Sequence, residues 1–463
     1  MSIDRRSILS LPLAVPLAVP LAVPLAGAAG FGAAAAAGTS GTRQFASLGA
    51  TVDAAEFGIT TGESGEITAR LQSAIDSLAA NGGTLLLPPG QFSVGDVQLA
   101  TGVTLQGSGP ATRLKAIGQN TIISAEDRAS VGLKALTLLG ERPKSNTSAP
   151  VVSFLQTEVL SVSGLTILGG GRGIELTQCS GTIDGCAISA LTDVGIFSID
   201  ATGLQITDNT IEDCGNNGVQ VWRSQKGADG TLVQGNRIRN IRSDAGGSGQ
   251  NGNGINVFRA GGVLATGNRI EKCAYSAFRS NAGSDCQFIG NSCMGLGEVA
   301  VYAEFGFEGA VIASNLIDGA ASGVSITNFN EGGRLAVCAS NLIRNLHTRD
   351  HYDKRGTGIG AEADTLINGN VIENAAEAGI SLGWGKYLRD VLVVNNLVRD
   401  CRWGITASVS QGAGPVVMSS NMISGARNAA IQAFDFETPV GEDLIKTNAA
   451  QWPHLTLTGN VRT

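Results

Sequence analysis

The sequence predicts an all-β solenoid: a parallel β-helix wound from one chain and closed at its N-terminal end by a single capping helix. Three observations carry this expectation. A frame close to Gly/Ser-Asn-x-Ile recurs so that Asn209, Asn236, Asn268, Asn291, Asn315, Asn341, Asn370, Asn396, Asn421 and Asn460 occupy one equivalent position, with spacings of 27, 32, 23, 24, 26, 29, 26, 25 and 39 residues. Short alternating runs flank each Asn, such as Gly218-Val-Gln-Val, Gly323-Val-Ser-Ile and Gly379-Ile-Ser-Leu, the period-2 pattern of half-buried strands. The 463 residues include 64 Gly, with only 5% aromatic and 15% charged side chains. That balance suits recurring corners and ladders of small residues better than a ring-filled globular core. Forty-three per cent hydrophobic residues exclude a disordered chain, and a net charge of −7 leaves no basic footprint for nucleic acid.

The first element, residues 1–37, is set apart from the fold. Asp4-Arg5-Arg6-Ser7 precedes a weakly apolar stretch, Leu13 to Ala26, built on Leu-Ala-Val-Pro, and then small residues to Ala37. The run resembles a twin-arginine export signal, which implies contact with that export machinery and a periplasmic or exported product. A membrane anchor is the competing reading. Pro16, Pro20 and Pro24 argue against it, because each would leave a backbone group unsatisfied in lipid.

Residues 38–125 read as an N-terminal cap with the first coils. A helix is expected over 66–80, with Ile67, Leu71, Ile75 and Leu78 on one face, Ser64 as its cap and Asn81-Gly82 as its stop. It would cover the otherwise unpaired edge of the first coil. Residues 126–463 then form repeats of about 21–27 residues, interrupted by insertions near 241–253, 346–357 and 435–454. One such repeat cannot bury its own apolar face, so the repeats must stack, each strand pairing with its copy about 4.8 Å away. Stacked Asn amides can then donate to one neighbour and accept from the other. Gly is expected at corners where a Cβ or an ordinary φ does not fit. The eight Cys fall in the same columns without metal-ligand spacing, so they are expected as buried free thiols. No cofactor or metal motif is visible.

The segment from Gly49-Ala50 through the helix to Asn81-Gly82-Gly83-Thr84-Leu-Leu-Leu-Pro-Pro-Gly90, and on to Gly102-Val-Thr-Leu-Gln-Gly107, resembles the N-terminal part of the pectate-lyase-like superfamily. With the Arg5-Arg6 signal, the chain looks like an uncharacterised family of twin-arginine-exported β-helix repeat proteins. The resemblance implies a right-handed parallel β-helix over about residues 45–463 and action on, or binding to, a polysaccharide. Its catalytic motifs carry over poorly. The Gly-His-Gly of polygalacturonase-like members is absent. The Asp-Pro-His-Asp of alginate-epimerase-like members is approached only by Asp350-His351-Tyr352-Asp353, without the Pro. The Asp cluster that binds calcium in pectate lyases is missing from the corresponding strand.

A candidate site follows from the insertions. Two of them leave one corner four coils apart, roughly 19 Å, enough for several sugar units. The next strand should point Val219/Val221 and Ile255/Val257 inward. Outward go Gln220/Trp222, Asn256/Phe258, Arg279/Asn281, Tyr302/Glu304, Ser325/Thr327 and Gly360/Glu362. Catalytic candidates are Arg279, Tyr302, Glu304 and His351. Arg279 would neutralise a uronate carboxylate, and Tyr302 or His351 would move the proton in β-elimination or C5-epimerisation. Binding candidates are Trp222, Asn256, Phe258, Asn281, Asp244 and Asp353. Hydrolysis ranks lower, since Glu304 has only loop Asp residues as a second carboxylate. Three readings stay open: a polysaccharide lyase or epimerase, a non-catalytic glycan binder, and a structural or interaction solenoid of the cell envelope.

Overall fold

The structure, a computed structural model, describes residues 49–63, 65–141, 149–247, 249–348, 356–447 and 449–463. The predicted signal at 1–37 and the loop positions His351 and Asp353 lie outside the described residues.

Each full coil contributes three strands. Val299–Glu304, Glu308–Ala313 and Leu316–Ala320 are one example, and they define faces 1, 2 and 3 of the solenoid. Successive coils pair in parallel and in register: Val301 with Val324, Ile312 with Cys338, Ile317 with Ile343. Among the described residues, face 3 runs as one fifteen-stranded sheet, and faces 1 and 2 merge into one of twenty-nine strands. Because side chains alternate, one residue in two points inward, and those are the apolar ones. Val219, Val221, Ile255 and Val257 are fully buried, as their alternation predicts.

The Asn column forms a continuous ladder. Asn315 Nδ2 donates to Asn341 Oδ1 at 2.9 Å and to the Phe288 carbonyl at 2.9 Å, while its Oδ1 accepts from Asn291 Nδ2 and N–H. The same pattern links Asn209 through Asn460 without a break. Glycine serves the two purposes expected of it, at different positions. At Gly218 the φ is ordinary, but a Cβ would lie 2.6 Å from the Gly254 carbonyl oxygen and 2.7 Å from Ile238 Cγ2. At Gly235, just before a ladder Asn, the reason is conformational, with φ +68°.

Helix α1 spans Thr68–Ser77 and seats Leu71, Ala74 and Ile75 on the first coil. It begins two residues later than predicted, because Glu66 is held in an extended bridge to Ser93. Ile67 therefore occupies the cap position, without a side-chain bond, and Ser64 lies outside the described residues. All eight Cys are buried free thiols. The insertion at 435–454, expected as a loop, contains structure that covers the last coil. Ala429–Asp435 turns back against Thr438–Val440 as an antiparallel hairpin, followed by the short helix Leu444–Thr447. Asp443 ties this cap down: it accepts from the N–H groups of Ala430, Ile431 and Ile445 and from Arg462. Burial pushes its carboxyl up, but these donors outweigh burial and hold it below the usual range.

Candidate functional site

Register places the predicted outward residues in two columns on face 1. Gln220, Asn256, Arg279, Tyr302, Ser325 and Gly360 follow one another in the first, and Trp222, Phe258, Asn281 and Glu304 in the second. The direction of these side chains agrees with the alternation, but their exposure does not. Gln220, Asn256, Arg279, Tyr302 and Glu304 are all buried.

Over Arg279 the cover is the first insertion. It folds down over face 1, where Asn217 Nδ2 holds the Gln250 carbonyl at 3.1 Å and Asn253 Nδ2 holds that of Gly249 at 2.8 Å. Gly249 lies so close to Arg279 that a Cβ there would be 1.7 Å from Nη1. Under it, Arg279 donates through Nε and Nη2 to the two oxygens of Glu304, at 2.7 and 3.0 Å, and through Nη1 to Glu298 at 3.1 Å. Asn281 Nδ2 approaches the same carboxylate at 3.4 Å, and the guanidinium lies 4.8 Å above the Tyr302 ring. Burial disfavours the Arg279 charge, but the two carboxylates outweigh it and keep the guanidinium protonated. In this arrangement three of the guanidinium's five N–H groups are held by carboxylates and the residue is 5% exposed, so Arg279 does not stand open to a substrate carboxylate as expected.

Trp222 and Phe258 remain half-buried at the other end of the strand. Phe197, Trp222 and Phe258 meet edge to face with centroids 5.5 and 5.7 Å apart, and Trp222 Nε1 donates to Asn256 Oδ1 at 2.8 Å. Arg172 and Arg259 lie over the terminal rings at 4.6 and 4.7 Å. Asn256 thus orients an indole instead of facing solvent. A second group of rings escaped the sequence reading because it sits in turns: Phe329 with Tyr387 at 6.4 Å, and Trp384 with Phe436 at 5.8 Å. The run Trp384-Gly-Lys-Tyr387, directly after a face 1 strand, was the available signal.

The open space lies elsewhere, along the corner between faces 3 and 1. The two insertions leave that corner after strands Arg237–Ile241 and Leu342–Leu346, with three paired strands between them. This is the predicted four-step separation. Between them runs a trough of about 550 Å³ with a floor of small residues, Ala274, Gly295, Gly297 and Gly319, and with Arg242, Lys272 and His347 on its walls. Lys272 and His347 are exposed. Arg242 is shared with a neighbouring hollow of about 470 Å³ beside Asp213 and Asp244, and it pairs with Asp244 at 2.9–3.1 Å. Asp244 is therefore an exposed partner of Arg242, on the loop as expected. Lys272 and His347 were missed because neither stands on the strand whose alternation was followed. Among the described residues no group of three or more His, Cys, Asp or Glu could hold a metal.

The profile of the family described as "Right handed beta helix region" matches residues 151–246 and 172–332. No protein of curated function matches the chain in sequence. Among solved structures, the tailspike protein of E. coli bacteriophage HK620, in complex with a pentasaccharide, is similar at a TM-score of 0.55 and 12% identity, covering 88% of this chain and 78% of that one. The N-terminal fragment of bacteriophage phi29 gene product 12 is similar at a TM-score of 0.51 and 14% identity, covering 85% and 73%. At such identities the likeness is one of fold. Coil architecture, the profile match over residues 151–332 and the structural likeness agree on one fold, the right-handed parallel β-helix.

Proposed function

We propose that the protein is exported and binds an extended acidic polysaccharide in the corner trough. The observation that carries this reading is the trough itself. Its floor of Ala and Gly lets a polymer lie close to the backbone, and its walls supply the exposed cation Lys272 and, at one end, His347, beside an Arg242 already paired with Asp244. Cationic and polar groups converging on an elongated hollow suit carboxylated sugars. The pentasaccharide bound by the HK620 tailspike, a protein of like fold, supports a glycan over other ligands. Trp222 and Phe258 offer a second, aromatic surface, but the loop over Arg279 separates it from the trough.

Lys272 and His347 also favour a second reading, a uronate lyase or C5-epimerase. A cation would neutralise the substrate carboxylate while the imidazole takes the C5 proton; in a lyase the C4–O4 bond then breaks and its oxygen leaves protonated, and in an epimerase a proton returns to the opposite face of C5. Affinity electrophoresis against acidic and neutral glycans tests both. Lys272→Glu should abolish retention by the acidic glycans and Trp222→Ala should leave it unchanged. Unsaturated-uronate absorbance that appears with the parent chain and is lost in His347→Ala would establish the lyase. Silence on every glycan in binding and turnover would remove the trough as a glycan site. For export, Arg5→Lys with Arg6→Lys should trap the protein in the cytoplasm.

A further inference from the structure

The outer surface of face 3 changes character halfway along the solenoid. The first outward position of each face 3 strand reads Thr166, Ala187, Thr210, Arg237, Arg269 and Ser292 in the earlier coils. In the later coils the same column reads Leu316, Leu342, Val371, Leu397, Met422 and Val461. Four of these are openly exposed, at 38% for Leu342, 37% for Val371, 46% for Met422 and 52% for Val461. Singly exposed apolar residues need no explanation, but six in register form a continuous stripe about 24 Å long.

The adjacent outward column, two residues further along each strand, carries charges of alternating sign: Asp318, Arg344, Glu373 and Arg399. Arg344 pairs with Asp318 at 2.7 Å, and Arg399 lies 3.6 Å from Glu373. All four remain at least a quarter exposed. Together the two columns cover roughly 500 Å² with side-chain margins, or about 1,000 Å² when two copies meet, the lower bound of a specific interface.

We propose that face 3 of the later coils is an isologous interface between two copies of this chain with antiparallel solenoid axes. The pattern selects this geometry. A two-fold axis parallel to the solenoid either sets the apolar column of one copy against the charged column of the other or, centred on the apolar column, sends the two charged columns to opposite rims where they meet nothing. A two-fold axis along the strands sets apolar against apolar and reverses the order of the charges, so that opposite signs meet. With that axis between the coils of Val371 and Leu397, Leu316 faces Val461, Leu342 faces Met422, and Val371 faces Leu397 of the other copy. Glu373 then faces the other copy's Arg399, twice by symmetry. The interface borders the corner trough, whose Gly319 directly follows Asp318, but it does not depend on the glycan reading.

Sedimentation equilibrium of the full chain tests the assignment, with circular dichroism to confirm that each surface variant is folded. The parent chain should dimerise at or below ~100 µM. Glu373→Arg and Arg399→Glu should each weaken self-association by about tenfold or more, because like charges then face each other. Mixed in equal amounts, the two single variants should form a heterodimer as tight as the parent dimer, since the mixture restores opposite signs at both contacts. A parent chain that stays monomeric, or that instead sediments with lipid vesicles through the stripe, would overturn the proposal. So would single variants that dimerise normally, or a mixture that fails to recover association.

Discussion

Replacing Asn315 by Ala removes one rung from the middle of the ladder, and the cost can be read from its partners. The N–H of Asn291 loses its acceptor at 2.9 Å, and one Nδ2–H of Asn291 loses its acceptor at 3.2 Å. The Phe288 carbonyl loses a donor at 2.9 Å. Asn341 Oδ1 keeps the backbone N–H of residue 315 at 3.0 Å. Three polar groups are therefore left unmade at a position only 2% exposed. At about 1–3 kcal/mol for each buried unsatisfied group, with some relief from relaxation, Asn315→Ala should cost about 4 kcal/mol. Asn460 ends the same ladder with a similar set of partners but is half-buried, so water can replace them and Asn460→Ala should cost about 1 kcal/mol. Urea unfolding followed by circular dichroism measures both. Hydrogen exchange of Asn291 and its neighbours should accompany it, because a stacked solenoid can open in segments. An Asn315→Ala protein within ~1 kcal/mol of the parent, or indistinguishable from Asn460→Ala, would refute the ladder as a major source of stability.

Alkaline pH and the buried ion pair give further tests. Burial pushes the thiols of Cys186, Cys286 and Cys401 up to about 11 and those of Cys273 and Cys338 to about 12, whereas unfolded thiols titrate near ~8.5. The folded values lie above the unfolded ones, so this stability is fully present below pH ~8.5 and is lost as pH rises toward 11–12. Once all eight unfolded thiols are ionised, the slope approaches about 11 kcal/mol per pH unit. Melting temperature should fall steeply above pH ~9, and thiol reagents should reach the Cys only after denaturation; a flat melting profile across that range would contradict the burial. Glu304→Ala leaves Arg279 partly unpaired beneath the loop and should cost about 3–5 kcal/mol in unfolding free energy. Unchanged stability with lost glycan binding would instead return the pair to a functional role.

The repeat frame made much of the fold legible. In a solenoid, equivalent residues of successive coils hydrogen-bond directly, so a periodic sequence is already a map of contacts. That is why the Asn ladder, the inward column through Val219 and Ile255, the buried Cys and the four-coil separation of the insertions could all be read before any coordinates. Helix α1 was legible in type but not in its first turn, where a non-local bridge from Glu66 to Ser93 competed with the local pattern.

The site was legible only in direction. Alternation says that Arg279, Tyr302 and Glu304 point outward, but whether an outward residue meets water depends on segments that fold back over it. No periodicity encodes where Gly249 comes to rest. The same holds for the corner trough, whose walls join Arg242, Lys272 and His347 from different coils. Thus composition and spacing fix the coil, its core parity and its ladders, because these are set by backbone pairing at one repeat's separation. Exposure, ion pairing and the hollows between insertions depend on non-repeating segments packing across several coils, and pairing rules do not reach that far.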